Sequence, residues 1–350
     1  MKALLLVGGQ GTRLRPLTIH QPKSIVPIFN RPFLHYQLDL IKQVAEIDEV
    51  ILSLNYQPRR IEEVFGDGRD VGIKIRYVVE PTPLGTAGGV KYAARGVDDT
   101  LVVFNGDVLT QVDLAGLIAF HRKRRARATI VLTPVENPSA YGLVETDEES
   151  NILRFLEKPK ADEITCDTIN AGIYILEPST FDRIPDGVAW SIERSFFPSF
   201  VERREIFVAS IYRDYWIDIG TPDKYIQVHR DIMDGRYSVP PFNGQPSVTW
   251  VSPAARVDPG SRIEAPSFVD EGCVIKAGAR IGPYTVLGKN SHVDEDANVS
   301  GAIVWPDTRI GREAEVGSAI IGRGSRIGRN ASVQRGVLGD KTDIADYSRL

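Results

Sequence analysis

Cysteine is nearly absent from this 350-residue chain, occurring only at Cys166 and Cys273. The two lie far apart and match no C-x-x-C spacing, so neither a disulfide framework nor a zinc site is indicated, and a reducing compartment fits. Long apolar runs are also lacking. The amino-terminal run ends at Val7, before Gly8 and Gly9, and falls short of the roughly 7–15 residues of a signal peptide core. No later run nears the roughly 20 apolar residues of a membrane span, which predicts a cytoplasmic protein with no membrane partner. Charge of one sign is missing too: 42 Lys and Arg against 46 Asp and Glu leave a net charge of −4. That balance excludes a dedicated nucleic-acid binder. What remains is ordinary globular composition, 42% hydrophobic and 25% charged. At about 150 residues per domain, the length suggests two domains.

The carboxy-terminal hundred residues carry an internal repeat. Branched aliphatics fall at Val251, Val257, Ile263, Val269, Ile275, Ile281, Leu287, Val293 and Val299, each step being six residues. The beat then becomes Val304, Ile310, Val316, Ile321, Ile327, Val333, Leu338 and Ile344, with steps of 5, 6 and 6 forming a 17-residue unit. Six matches neither the 3.6-residue period of a helix nor the alternation of a strand. It matches a triangular solenoid in which each unit is a short strand with one aliphatic side chain inward and a corner rich in Gly, Asn or Asp. An end coil exposes unpaired strand groups and needs a cap or a partner, so self-association through this part is expected.

The rest of the chain reads differently. Apolar strand-like runs at 3–7, 50–54, 73–79, 101–104, 128–132, 169–176 and 206–211 alternate with amphipathic stretches at 32–45, Leu114–Arg124 and Pro222–Met233. Such alternation predicts an α/β domain with a largely parallel sheet. The segment 235–247, with Pro240, Pro241, Gly244 and Pro246, reads as a linker. The expected organisation is an α/β domain over 1–235, a linker over 236–247 and a solenoid over 248–350.

After the first strand the chain runs Gly8-Gly9-Gln10-Gly11-Thr12-Arg13. Glycines let backbone N–H groups approach an anion closely. The segment has no GK[ST] ending for a P-loop, and the dinucleotide pattern would need glycine at Leu14. Arg13 and Lys23 beside such an amide cradle suit a polyphosphate. Asp107 follows the run 101–104 at a strand end, where open α/β sheets bind ligands, and Asp218 follows another apolar approach, Tyr215-Trp216-Ile217.

The sequence GGQGTRLRPLTIHQPKSIVPIFNRP, which holds these glycines and both cations, resembles the signature of the sugar-nucleotide pyrophosphorylases. The likeness continues through PLGTAGG at 83–89, FNGDVLT at 104–110, EKP at 157–159, NAGIYIL at 170–176 and YWIDIGTP at 215–222. The hexapeptide solenoid completes it, and nearly the whole chain is covered. One departure is Ser24, where the signature commonly has proline.

The resemblance implies a Rossmann-like three-layer α/β/α nucleotidyltransferase domain followed by a left-handed parallel β-helix. It implies transfer of a nucleoside monophosphate from a nucleoside triphosphate to a sugar 1-phosphate, with Mg²⁺ held by Asp107 and Asp218. Gly8, Gly9, Gly11, Thr12, Arg13, Glu80, Gly85 and Asp107 would meet the nucleotide, and Lys23 the reacting phosphates. Gly142, Glu157, Lys158 and Asn170 would meet the sugar phosphate. The likeness is closest to the enzymes that make GDP-mannose, which implies GTP and mannose 1-phosphate as substrates and a homodimer or higher homo-oligomer. Glu80 fits that choice, since two carboxylate oxygens match the N1–H and N2 amino donors of guanine.

Rival readings are a thymidylyl- or uridylyltransferase acting on glucose 1-phosphate, a regulatory paralogue that binds without turnover, and an acyltransferase using His292. His292 reads better as a corner residue, because no second catalytic motif accompanies it. The run from His121 to Arg127 carries five cations, and reads as a solvated helix end where cations favour the dipole.

Overall fold

The computed structural model describes residues 1–350, which divide into two compact units. The first comprises Met1–Gly9 and Leu34–Asp218; the second comprises Gln10–Phe33 and Ile219–Leu350.

The first unit is built on a nine-stranded sheet. In chain order its elements are β1 (Lys2–Leu6), α1 (Phe33–Ile41), β2 (Glu49–Leu54), α2 (Pro58–Phe65), β3 (Lys74–Val79), α3 (Gly85–Ala93), β4 (Leu101–Asn105), β5 (Val108–Thr110), α4 (Leu114–Arg124) and β6 (Ala128–Pro134). There follow β7 (Gly142–Thr146), β8 (Ile152–Glu157), β9 (Thr168–Leu176), α5 (Phe197–Glu202), β10 (Phe207–Ile211) and β11 (Trp216–Asp218). Along the sheet the order is β8-β7-β9-β4-β1-β2-β3, with β6 pairing β9 and β10 pairing β6.

Strands β3, β2, β1 and β4 are parallel; β2, β1 and β4 are mostly apolar and buried, as expected of strands covered on both faces, whereas the edge strand β3 carries Lys74 and Arg76 and is partly exposed. The chain leaves β1 toward β2 on one side and returns to β4 on the other, which is the strand-order reversal where doubly wound sheets bind ligands. The expectation of a largely parallel sheet holds for this half and for the pairing of β10 with β6. Strand β9 runs antiparallel to β4, β6 and β7, and β7 pairs antiparallel with β8. A turn around Asp147–Ser150 joins β7 to β8, too short for the crossover that parallel strands require. Helix α1 stops at Ile41 instead of running to residue 45, because Gln43 and Val44 donate to Leu40 and Ile41 in tighter three-residue turns.

The second unit contains α6 (Pro222–Met233), Thr221 capping it by accepting from the backbone N–H of Lys224, and then the solenoid. Three parallel sheets form a left-handed parallel β-helix. The register stacks like on like: Ile263 beside Ile281, Leu287 beside Val304, Ile310 beside Ile327, and Ile321 beside Leu338. The switch from an 18-residue to a 17-residue coil therefore leaves the aliphatic column unbroken. Alanines at 279, 297, 314 and 331 fill the space between the columns. Val251 and Val257 at one end and Leu350 at the other are exposed. His292 lies on a strand instead of a corner, and its side chain is exposed.

Within this unit the segment Gln10–Phe33 is packed against α6 and the solenoid. Phe29, with φ 53°, lies within ring contact of Phe242 and Phe268, at 5.2 and 5.0 Å. The stretch read as a linker is therefore packed, with Phe242 buried. The Trp305 indole N–H donates to the Tyr225 hydroxyl at 3.0 Å, and that hydroxyl donates to the Pro27 carbonyl. The Phe29 backbone N–H donates to His229 Nε2 at 3.2 Å, while His229 Nδ1 donates to the Tyr225 carbonyl at 2.8 Å. These two bonds fix a neutral imidazole with its proton on Nδ1.

Burial holds the His229 pKa down to about 4 from its ordinary 6.5. The unfolded chain takes up this proton first, so its contribution is fully present above about pH 6.5 and is lost as pH falls toward 4. The full loss is roughly 3 kcal/mol at about 1.4 kcal/mol per unit. Urea unfolding at neutral pH and near pH 4.5 should show this slope in the native chain and a flatter one in His229→Gln; equal slopes would reject the assignment.

Candidate active site

Strands β1 and β4 end side by side, Leu6 opposite Asn105. The chain leaves β1 through Gly8, where a Cβ would lie 3.0 Å from the Asn55 backbone nitrogen. It leaves β4 through Gly106, whose N–H donates to the Leu6 carbonyl at 3.0 Å and where a side chain would collide with that carbonyl. Gly106 has no room for a side chain because backbone meets backbone there, and at Gly8 one would be unusually tight.

The next residue after Gly106 is Asp107. Strand β11 pairs with β5 so that Asp218 stands opposite Val108, which brings the two aspartates predicted from sequence to neighbouring backbone positions. Asp218 Oδ1 accepts from the Tyr141 hydroxyl at 3.0 Å. The Tyr141 ring meets Trp216 edge-on at 5.8 Å, and the Trp216 indole N–H donates to the Ala171 carbonyl at 2.9 Å. Tyr141 was not foreseen from sequence; its place immediately before Gly142 was the one available signal.

The residues expected at the sugar phosphate are also brought together. Gly142 pairs with Glu157 across β7 and β8, and a Cβ at Gly142 would lie 3.2 Å from Glu157 Oε2. The Lys158 N–H donates to the Tyr141 carbonyl at 2.9 Å, with Lys158 at φ 52° and its side chain exposed. The bridge from Ile169 to Leu143 sets Asn170 on the strand beside Gly142. Asn170 accepts from the Gly172 N–H and donates to the buried Tyr174 hydroxyl, both at 2.9 Å.

Glu80 follows β3, as expected, and its carboxylate is engaged: Oε1 accepts from the Ser53 hydroxyl at 2.9 Å and Oε2 from the Leu84 N–H at 3.0 Å. Each oxygen keeps a second lone pair for a further donor. Gly85 opens α3 at φ 69°, hard against the Trp190 backbone.

In the other unit, Gly11 takes φ 61° and begins a short 3-10 turn over Thr12–Leu14, with Thr12 and Arg13 exposed. The Thr18 hydroxyl donates to the Gly11 carbonyl at 2.8 Å, and a Cβ at Gly11 would lie 3.1 Å from Lys23 Cβ. Gly9 is open, and a Cβ there would meet no atom within 4 Å. Ser24 is buried and its hydroxyl has no partner; nothing in the structure gives it a role. At the end of α4, Arg122 pairs with Glu46 and Arg124 bonds Asn151, whereas His121 is buried between Thr129 and Glu177, so the basic run is only partly a solvated end.

The nucleotidyl transferase family matches residues 2–235, and the GMPPB C-terminal domain matches residues 263–350. The chain is similar to mannose-1-phosphate guanylyltransferase of Mycobacterium tuberculosis, 42% identical over 81% of this chain and 77% of that protein. It is also similar to UTP–glucose-1-phosphate uridylyltransferase of Synechocystis, 33% identical over 89% of this chain and 84% of that protein. Among solved structures it resembles HddC from Yersinia pseudotuberculosis complexed with GMP-PN, with a TM-score of 0.55 and 28% identity over 65% of this chain and 96% of that one.

Burial first, and the Glu193 carboxylate second, push the Glu157 carboxyl above the ordinary range. Glu193, missed in the sequence, lies in the segment Ile192–Phe196 and accepts from Thr86 and Ser191 at 3.0 and 2.8 Å. Glu193→Gln removes a like charge, so Glu157 should ionise at lower pH while staying raised by its burial. The titration can be followed by ¹³C NMR of labelled glutamate carboxyls, assigning the signal by its loss in Glu157→Gln. An unchanged titration would reject the coupling.

Proposed function

This chain belongs to the nucleotidyl transferase family, and we propose that it transfers a guanylyl group from GTP to mannose 1-phosphate. The observation that carries this reading is the meeting of Asp107 and Asp218 at the end of the sheet, in the unit that also pairs Gly142 with Glu157. An oxygen of the sugar phosphate attacks the α-phosphorus, the bond from that phosphorus to the bridging oxygen breaks, and pyrophosphate leaves. The products are GDP-mannose and pyrophosphate. No general base is required, since a phosphate monoester is already largely ionised at neutral pH.

The donor set of two hard carboxylates suits a divalent metal, Mg²⁺ above all, which binds through one or two carboxylates and the substrate phosphates. When bound, the ion supplies charge stabilisation to the reacting phosphates. The chain's own groups then position and neutralise. Arg13 steadies the leaving phosphates, Lys23 the reacting phosphates, and Lys158 the attacking phosphate, as is general for phosphoryl-type transfer. Glu157 accepts from sugar hydroxyls, with Gly142 and Asn170 lining the same strand ends. The amides and glycines at Gly8, Gly9, Gly11, Thr12 and Gly85 admit the nucleotide closely.

Asp107→Asn and Asp218→Asn should each lower metal-dependent pyrophosphate release on the order of 100-fold or more, with circular dichroism unchanged. Near-native release in both variants at low Mg²⁺ would sink the metal assignment.

The base follows from Glu80. With the spare lone pair on each oxygen, its carboxylate accepts from guanine N1–H and the N2 amino group, a match that contributes about 1–3 kcal/mol. UTP places a carbonyl where guanine places a donor. Pyrophosphate release with GTP, UTP and dTTP should favour GTP in the native chain, and Glu80→Gln should narrow the gap. Preference for UTP or dTTP in the native chain would overturn both the base and the GDP-mannose assignment.

A further inference from the structure

The turn that carries Asp107 is held by a side chain from another element. Gln37, at the middle of α1, is 3% exposed and lies between the buried Tyr36 and Leu38. Its Nε2 donates to two carbonyls, that of Asn105 at 2.9 Å and that of Val108 at 2.9 Å. These are the first and last residues of the stretch Asn105-Gly106-Asp107-Val108. One amide nitrogen thus spends both hydrogens bridging the ends of the turn, with Asp107 at its tip. The orientation of the amide follows from the partners, since both are acceptors and only the nitrogen can donate.

The turn is held from other sides as well: Gly106 donates to Leu6, Asp218 stands opposite Val108, and the Asn105 side chain bonds the Tyr174 hydroxyl. The Asn105 Oδ1 is buried without a partner. Gln37 Oε1 is also buried without a partner, and an unsatisfied buried acceptor costs about 1–3 kcal/mol. An apolar residue of the same length would fill the site between helix and sheet without that cost. The amide is therefore explained by what its nitrogen does to the turn.

We propose that Gln37 is a positioning residue: by tying the Asn105 and Val108 carbonyls together it sets the backbone angle at which Asp107 presents its carboxylate beside Asp218, and so sets metal affinity. The inference rests on reading Asp107 as a metal ligand. Gln37 touches neither metal nor substrate. Its effect passes through the turn, as with outer-shell groups that orient ligands in metal sites.

Gln37→Met keeps the length and helix preference of the side chain and removes both donors; Gln37→Glu keeps the shape and offers at most one donor, the O–H of a carboxyl held neutral by burial against two carbonyls, so the two ends of the turn are no longer tied together. Full-length native chain, Gln37→Met, Gln37→Glu and Asp107→Asn are titrated with Mn²⁺ alone, free Mn²⁺ being read by electron paramagnetic resonance. The Mn²⁺ dissociation constant should rise on the order of 10-fold or more in both Gln37 variants. The Mg²⁺ concentration for half-maximal pyrophosphate release should rise in parallel, with kcat recovering at saturating metal. If Asp107→Asn weakens Mn²⁺ binding while the Gln37 variants match the native chain, this role is overturned and the metal reading stands. If Asp107→Asn also matches the native chain, both fall together. Loss of kcat at every metal concentration with Mn²⁺ affinity intact would make Gln37 merely structural and overturn the proposal.

Discussion

The parallel pairing that ends with Leu6 opposite Asn105 is the constraint on which the rest of the first unit depends. Two strands that stop together leave two exits at the same place, and each exit passes close to neighbouring backbone, tightly at Gly8 and with no room for a side chain at Gly106. A turn so tightly placed brings Asp107 to the carboxyl end of the sheet at the strand-order reversal. The short pairing of β5 with β11 then brings in Asp218 from more than a hundred residues away. Neither carboxylate is placed by its own local sequence. One depends on a glycine's clearance and the other on a three-residue strand.

The second unit shows how an internal repeat serves a segment far from it in sequence. The aliphatic column fills the solenoid, and Trp305 and Phe268 on it meet Tyr225 and Phe29. Tyr225 and His229 in turn hold the backbone of Pro27 and Phe29, at the end of the glycine-rich signature. Near the other end of the chain, a Cβ at Gly339 would lie 3.2 Å from Pro16 Cβ. The signature is thus seated on α6 and the β-helix, and the cations it carries at Arg13 and Lys23 take their backbone frame from that seat.

Most of the architecture was legible because periodicity is a local property that packing preserves. The steps of six and then of 5, 6 and 6 are the same steps by which Leu287 stacks on Val304 and Ile310 on Ile327. Helices Leu114–Arg124 and Pro222–Met233 have the ends read from sequence, where Asp113 and Thr221 cap them. The parallel half of the sheet followed from its apolar runs. The antiparallel half did not, since an apolar run such as 169–176 carries no mark of its direction, which the connection before it decides.

The same division runs through the site. By itself the sequence offered the candidate charges, because Asp107, Asp218, Glu157, Lys158, Arg13 and Lys23 sit in motifs that resemble a family signature. Only the tertiary structure decided which groups hold them. Gln37, Tyr141, Glu193 and His229 are common residues, and each has a partner that lies far off along the chain, at 68, 77, 107 and 200 positions. A hydrogen bond reaches only about 3 Å, so its existence depends on how separate elements pack and leaves no trace in local spacing.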